Sequence, residues 1–96
     1  MSRYYRMDGT LYKNVQEWAH DFEMMDRKVG KTKLPSGVLV STVWLGLDCQ
    51  LCEGPPLIFE TMVFSAAGEV FASERYSTLE EARSGHNAMA EKWQVK

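Results

Sequence analysis

The chain has 96 residues, of which 45% are hydrophobic, 25% charged and 11% aromatic, and its formal net charge is -2 at pH 7. This length fits one small domain over residues 1–96, and the composition excludes an intrinsically disordered or collagen-like chain. The slightly acidic net charge provides no overall basic field for a polyanion, so we expect no nucleic-acid partner.

The sequence predicts a cytoplasmic location. Residues 1–6 lack the apolar run of a secretory signal, and residues 38–47, the longest weakly polar stretch, are too short for the roughly 20 residues that span a bilayer. Two cysteines, Cys49 and Cys52, are too few for a disulfide framework and are expected to stay reduced. We therefore expect neither a membrane partner nor a disulfide.

The first third of the chain predicts a short strand and a helix. Residues 3–7 read as the strand, which ends at an Asp-Gly turn. Asn14 is expected to cap a helix that ends near Asp26, with Glu17 as its capping-box partner. Apolar residues at helical spacing give this helix one apolar face: Val15, Trp18, Ala19 and Phe22.

The middle of the chain predicts four strands, at residues 27–34, 38–45, 57–64 and 69–76. Lysines alternate along the first of them, which is typical of an exposed sheet edge. The second and third are rich in β-branched and aromatic residues. A loop over residues 46–56, closed by Gly-Pro-Pro, separates these two.

The end of the chain predicts a second helix, with Ser77 as its cap and Glu80 as the capping-box partner. Its expected apolar stripe is Leu79, Ala82, His86, Met89, Ala90 and Trp93. The element order is then β-α-β-β-β-β-α. We predict an α+β fold in which a mostly antiparallel sheet of four or five strands carries two helices.

The two central strands are apolar on both faces. In residues 38–45 and 57–64, apolar side chains occupy odd and even positions alike, whereas a sheet with one face in water alternates apolar and polar residues. If both helices pack on one face, the other face exposes an apolar patch, which soluble monomers rarely carry without a partner. That face would then be a docking surface or a dimer interface. The alternative is that the helices or the loop cover both faces.

Charge is unevenly distributed along the sequence. Residues 34–74 contain no Lys or Arg, and the cations cluster just before them, at residues 27–33. The carboxylates of this central region are Asp48, Glu53, Glu60, Glu69 and Glu74. They predict an acidic surface that steers toward a basic partner, unless the strands simply exclude long cations.

A single Cys-x-x-Cys, Cys49 to Cys52, is a weak motif. Thioredoxin-type chemistry needs the first cysteine at a helix N-terminus, and Gly-Pro-Pro follows here instead. Structural zinc needs four ligands, and the chain has two histidines, His20 and His86. Two free loop thiols are the alternative, and we assign no metal and no cofactor.

His86 and Glu60 are polar residues at apolar positions. A buried neutral histidine needs a hydrogen-bond partner, for which Glu60, Thr61 or Asp48 are candidates. A candidate pocket for a small ligand or metal would combine Asp48, Cys49, Glu60, Thr61 and His86. Satisfied core polar pairs are commoner than catalytic ones, so we assign no catalytic residue and favour a protein that is not an enzyme.

Two strings of the sequence resemble a known family. Residues 40–48 read Val-Ser-Thr-Val-Trp-Leu-Gly-Leu-Asp, and residues 54–64 read Gly-Pro-Pro-Leu-Ile-Phe-Glu-Thr-Met-Val-Phe. The pattern continues through residues 75–82 to Gly85 and His86. It resembles small uncharacterised proteins encoded by bacteriophages, prophages and bacteria. Members usually carry histidine after the aspartate, where this chain has Cys49.

The resemblance implies a mobile-element accessory protein, of the size class in which counter-defence inhibitors and host-takeover proteins are common. We therefore expect binding to a bacterial protein in the host cytoplasm, through the apolar sheet face and the loop 46–56. The expected contact residues, with Trp44 as the apolar anchor, are Trp44, Leu47, Asp48, Pro55, Pro56 and Glu60. A small ligand- or metal-binding domain and a homodimeric structural protein are the alternatives.

Overall fold

The computed structural model describes residues 3–48 and 54–94. It has two helices and one four-stranded antiparallel sheet, which confirms the predicted α+β fold. The elements in chain order are α1 (Val15–Met24), β1 (Lys28–Lys33), β2 (Leu39–Trp44), β3 (Phe59–Phe64), β4 (Val70–Tyr76) and α2 (Leu79–Lys92). The strands lie in the order β1-β2-β3-β4, so β1 and β4 form the edges of the sheet.

The strand predicted at residues 3–7 is replaced by two isolated bridges, in which Tyr4 pairs with Leu47 and Tyr5 with Leu11. The Asp8 carboxylate accepts hydrogen bonds from the backbone N–H of Thr10 at 2.9 Å and from its hydroxyl at 2.7 Å. The turn at residues 8–10 reverses the chain direction, so Tyr4 and Tyr5 form only isolated bridges and no strand. The described order is therefore α-β-β-β-β-α, and the sheet has four strands.

Both helices begin with a side-chain cap. Asn14 Oδ1 accepts from the backbone N–H of Glu17 at 2.9 Å, as predicted. In α2 the N-cap is Thr78 instead of Ser77, because the capping-box partner is Glu81 and not Glu80. The Glu81 carboxylate accepts from the backbone N–H of Thr78 and also from that of Ser77, each at 3.2 Å. This register satisfies two more N–H groups than a cap bond alone, which explains the shift of one residue.

Helix α2 lies against all four strands and closes the core. It buries Ala82, His86 and Met89, which all belong to the predicted stripe. On the facing strands, Trp44 and Phe59 are completely buried, as are their neighbours Val40 and Val63.

Helix α1 is peripheral and buries no residue. It packs beyond the end of β2, where Trp18 Nε1 donates to the carbonyl of Leu45 at 3.1 Å. The rings of Phe22 and Trp44 lie 6.1 Å apart. The backbone of α1 does not approach the strands, so α2 is the helix of the described residues whose backbone lies across the sheet.

Gly85 allows α2 to lie directly on β4. A Cβ at this position would be 2.2 Å from the ring of Tyr76, whose backbone is fixed in the strand. We predict that Gly85→Ala destabilises the protein by about 1–2 kcal/mol, because overpacking outweighs the roughly 1 kcal/mol that alanine gains in a helix. Urea denaturation measures the change in the free energy of unfolding. Ser84→Ala, at the exposed neighbouring position, is the control and is expected to change stability little. A stabilised Gly85→Ala variant would contradict this packing.

Candidate interaction surface

The two faces of the sheet differ in burial. Along β2 and β3 the side chains alternate between buried and half-buried without exception. The buried set faces α2. The half-buried set faces the other way, where neither helix covers the sheet: Leu39, Ser41, Val43, Glu60, Met62 and Phe64.

We call this second side the open face, and the strand register arranges it in three rows. Each row runs from β1 to β4. The rows are Lys33, Leu39, Phe64 and Val70; Lys31, Ser41, Met62 and Ser73; and Lys28, Val43, Glu60 and Arg75. The centre of the open face is therefore largely apolar, and lysines occupy its β1 edge.

Hollows adjoin the open face at both ends. Between the β1–β2 and β3–β4 turns lies a cleft of about 620 Å³, lined by Leu39 and Phe64 and by two lysines, Lys31 and Lys33. At the other end, a cleft of about 730 Å³ includes Val43, Lys28 and the apolar side of α1. Concave apolar surface next to fixed strands is suited to receiving side chains from another molecule.

Trp44 does not lie on this surface, which corrects its predicted role as the anchor. Its exposed fraction is 0%, and its Nε1 donates to the carbonyl of Tyr5 at 3.1 Å. Alternation along β2 places Trp44 on the side of Val40 and Thr42, where the rings of Tyr12 and Phe22 lie against it. The apolar residues of β2 that remain accessible are those at the alternate positions, Leu39 and Val43.

The other predicted contact residues are distributed over two regions. Glu60 lies on the open face, where its carboxylate accepts from Arg75 Nε at 3.2 Å. Leu47 pairs with Tyr4, and the backbone N–H of Asp48 donates to the carbonyl of Arg3 at 3.3 Å. In the same loop, Pro55 is exposed and Pro56 half-buried. Residues 49–53 lie outside the described residues.

The predicted pocket of Asp48, Cys49, Glu60, Thr61 and His86 does not form as a single site. Glu60 and Thr61 are neighbours in β3 and therefore point to opposite faces, so only Thr61 lies on the side of His86. Cys49 lies outside the described residues. Within residues 3–48 and 54–94, no three His, Cys, Asp or Glu side chains group as metal ligands.

Both ring nitrogens of His86 are hydrogen-bonded to threonine hydroxyls. Its Nδ1 lies 2.7 Å from the hydroxyl of Thr42, which in turn bonds the hydroxyl of Thr61. Its Nε2 lies 2.9 Å from the hydroxyl of Thr32 on β1. A hydroxyl both donates and accepts, so either neutral tautomer of the ring completes this network.

Burial makes His86 harder to protonate, because desolvation lowers its pKa below the usual 6.5. A Cβ at Gly30 would be 3.0 Å from the imidazole, so a glycine in β1 makes room for the ring. The sequence interpretation named Thr61, which reaches the ring through Thr42, and missed Thr42 and Thr32, which bond the ring directly. The signal for Thr42 and Thr61 is a threonine at the inward position of each central strand.

None of the helices in the described part of the chain is long and apolar enough to cross a membrane. Comparison with protein-family models, with curated proteins and with solved structures gave no match. The function is therefore inferred from the geometry of the open face and of the histidine network.

We predict that Thr42→Val lowers the free energy of unfolding by about 1–3 kcal/mol, because the buried Nδ1 of His86 loses its partner. Valine keeps the shape of threonine, so the loss reports the hydroxyl. Thr32→Val is the matched control. Thr32 is half-buried, and water can replace its hydroxyl beside Nε2, so a smaller loss is expected. Equal losses measured by urea denaturation would contradict the assignment of Thr42 as the buried partner.

We also predict that the protein loses stability as the pH falls from about 7.5 to about 5.5. Because the folded-state pKa of His86 lies below 6.5, the unfolded chain binds more protons in this range. The contribution is complete above about pH 6.5 and declines below it. Urea denaturation at both pH values tests this, with His86→Gln expected to flatten the dependence. His20→Gln, at an exposed position of α1, should leave the dependence unchanged. An unaltered slope in His86→Gln would contradict the interpretation.

Proposed function

We propose that this chain is a non-enzymatic binding protein that engages another protein through the open face of its sheet. The observation that carries the proposal is the asymmetry of the sheet. One face is closed by α2, and the other presents half-buried apolar side chains on its two central strands.

The apolar part of the open face is suited to protein recognition. Leu39 pairs directly with Phe64, and Val43 and Met62 lie on the same two strands. Hydrogen bonds to neighbours on both sides hold these strands, so little backbone freedom is lost on binding. Removing such side chains from water contributes about 25 cal/mol of transfer free energy for each Å² of apolar area, which the costs of association then oppose. Met62 adds a flexible thioether that adapts to an irregular partner surface.

The location of His86 supports a role in folding. The imidazole bonds threonine hydroxyls inside the core, on the opposite side of the sheet from the Glu60 carboxylate. A general base needs to reach a substrate, and this ring is 6% exposed. The binding surface and the polar core network are thus separate parts of the molecule.

The resemblance to phage and prophage proteins supports the choice of target. We propose a bacterial host protein in the cytoplasm, of the kind that a counter-defence or host-takeover protein inhibits. The described part of the loop 46–56 extends this surface in the proposal, through Leu47, Asp48, Pro55 and Pro56. A second copy of the chain is the competing occupant.

We predict that Met62→Gln reduces capture of the target at least about fivefold, since losing about 1 kcal/mol of apolar burial has that effect on an equilibrium. The measurement is quantitative mass spectrometry of proteins retained from a bacterial lysate by the immobilised chain. Met24→Gln is the matched control, because it makes the same chemical change on α1, where Met24 is 72% exposed. The target should be retained by the wild type and by Met24→Gln.

Two outcomes would contradict the proposal. One is equal recovery of every protein by both methionine variants. The other is sedimentation that shows a wild-type dimer, lost in Met62→Gln, because the open face would then be covered by a second copy.

A further inference from the structure

We infer that the occupant of the open face is an acidic segment of the partner protein, in which apolar side chains alternate with Asp or Glu. The inference rests on the proposed function and specifies the chemistry of its partner. It depends on where the register places the cations of β1.

All the lysines of β1 lie on the open face. Lys28 pairs with Val43, Lys31 with Ser41 and Lys33 with Leu39, and each of these partners belongs to the half-buried set. The positions between them that face α2 are Gly30 and Thr32, beside His86.

The open face is positive although the chain as a whole is negative. Its three rows contain four cations and one carboxylate, Glu60, whereas the whole chain carries a net charge of -2. Glu60 is already paired with Arg75. Among residues 3–48 and 54–94 the other ion pair joins Arg6 to Glu17, so the β1 lysines have no carboxylate partner within this part of the chain.

This arrangement reverses the sequence prediction of a basic partner. Of the carboxylates at positions 60, 69 and 74, which the structure describes, only that of Glu60 lies on the open face. Glu74 pairs with Thr61 and therefore faces the side of α2, and Glu69 lies in the exposed β3–β4 turn. Glu53 lies outside the described residues. A partner that binds the apolar centre therefore lies next to the lysines of β1.

The cleft between the turns combines an apolar floor with a cationic rim. Leu39 and Phe64 line it together with Lys31 and Lys33. Two residues apart on a strand, these lysines are separated by about 7 Å along the chain direction, which matches alternate carboxylates of an extended segment. An apolar side chain can enter the cleft while its neighbouring carboxylates meet the ammonium groups.

The same features disfavour the other occupants. Single-stranded nucleic acid needs aromatic platforms for its bases, and Phe64 is the single aromatic residue in the three rows. An isologous dimer through this face would bring two sets of like charges together, which is unfavourable.

A peptide display library tests the inference. Random peptides of about 12 residues are long enough to follow a strand the length of β2. Sorting for binding to the wild type should enrich sequences with net negative charge and apolar residues. The double variant Lys31→Glu/Lys33→Glu should enrich positively charged sequences instead. It keeps charged side chains on the exposed edge, so any protection of that edge against strand pairing is retained.

The matched control is Lys13→Glu/Lys92→Glu, which makes the same change in net charge at exposed positions outside the open face. It should select the same acidic peptides as the wild type. For one enriched peptide, fluorescence anisotropy should show at least a tenfold loss of affinity in Lys31→Glu/Lys33→Glu and little change in the control.

The outcomes separate this inference from the proposed function. If the enriched peptides are uncharged and bind both double variants equally, the acidic partner is wrong. Docking on the open face still stands in that case if Met62→Gln weakens their binding and Met24→Gln does not. A library without binders, or tighter binding of a single-stranded oligonucleotide than of any peptide, overturns the acidic partner. The capture experiment with the methionine variants then decides the proposed function by itself.

Discussion

The packing of α2 on one face of a sheet that is apolar on both faces determines the rest of this structure. The helix lies against every strand and buries its apolar stripe against Val40, Trp44, Phe59 and Val63. The backbone of helix α1 stays away from the strands, and its Trp18 and Phe22 side chains pack against the core beside Trp44. The core therefore lies between α2 and one face of the sheet, and the apolar residues on the open face remain half-buried. The proposed recognition of another protein gives a reason for keeping them there.

The polar part of the core fits the same packing. His86 sits in the middle of the helix stripe and bonds Thr32 and Thr42 on neighbouring strands. These bonds fix the position of α2 across β1 and β2, because a shift of the helix would leave buried polar atoms unpaired. Glycines make the close approach possible: Gly30 faces the imidazole and Gly85 lies on Tyr76. The network lies on the side of the sheet that α2 covers, opposite the open face.

Local patterns in the sequence predicted the elements well. Cap residues, helical spacing and β-rich runs located both helices and all four strands, with the cap of α2 displaced by one residue to Thr78. The sequence could not tell which of two apolar faces the helix covers, so Trp44 was expected at the surface and lies in the core. It also offered Glu60 as one candidate partner of His86, whereas strand alternation puts the two on opposite faces once α2 is docked. Charge read along the chain predicted a basic partner, and only the register shows the β1 lysines beside the apolar centre.

Accessibility of the methionine methyl groups tests the central claim most directly. In protein labelled with ¹³C at the methionine methyls, a soluble paramagnetic probe broadens each signal according to its exposure. An uncovered open face predicts that Met62 is broadened to a degree between Met24, which is 72% exposed, and Met89, which is 7% exposed on the buried side of α2. A Met62 signal as protected as that of Met89 in the free monomer would show that the open face is covered, and would contradict the account.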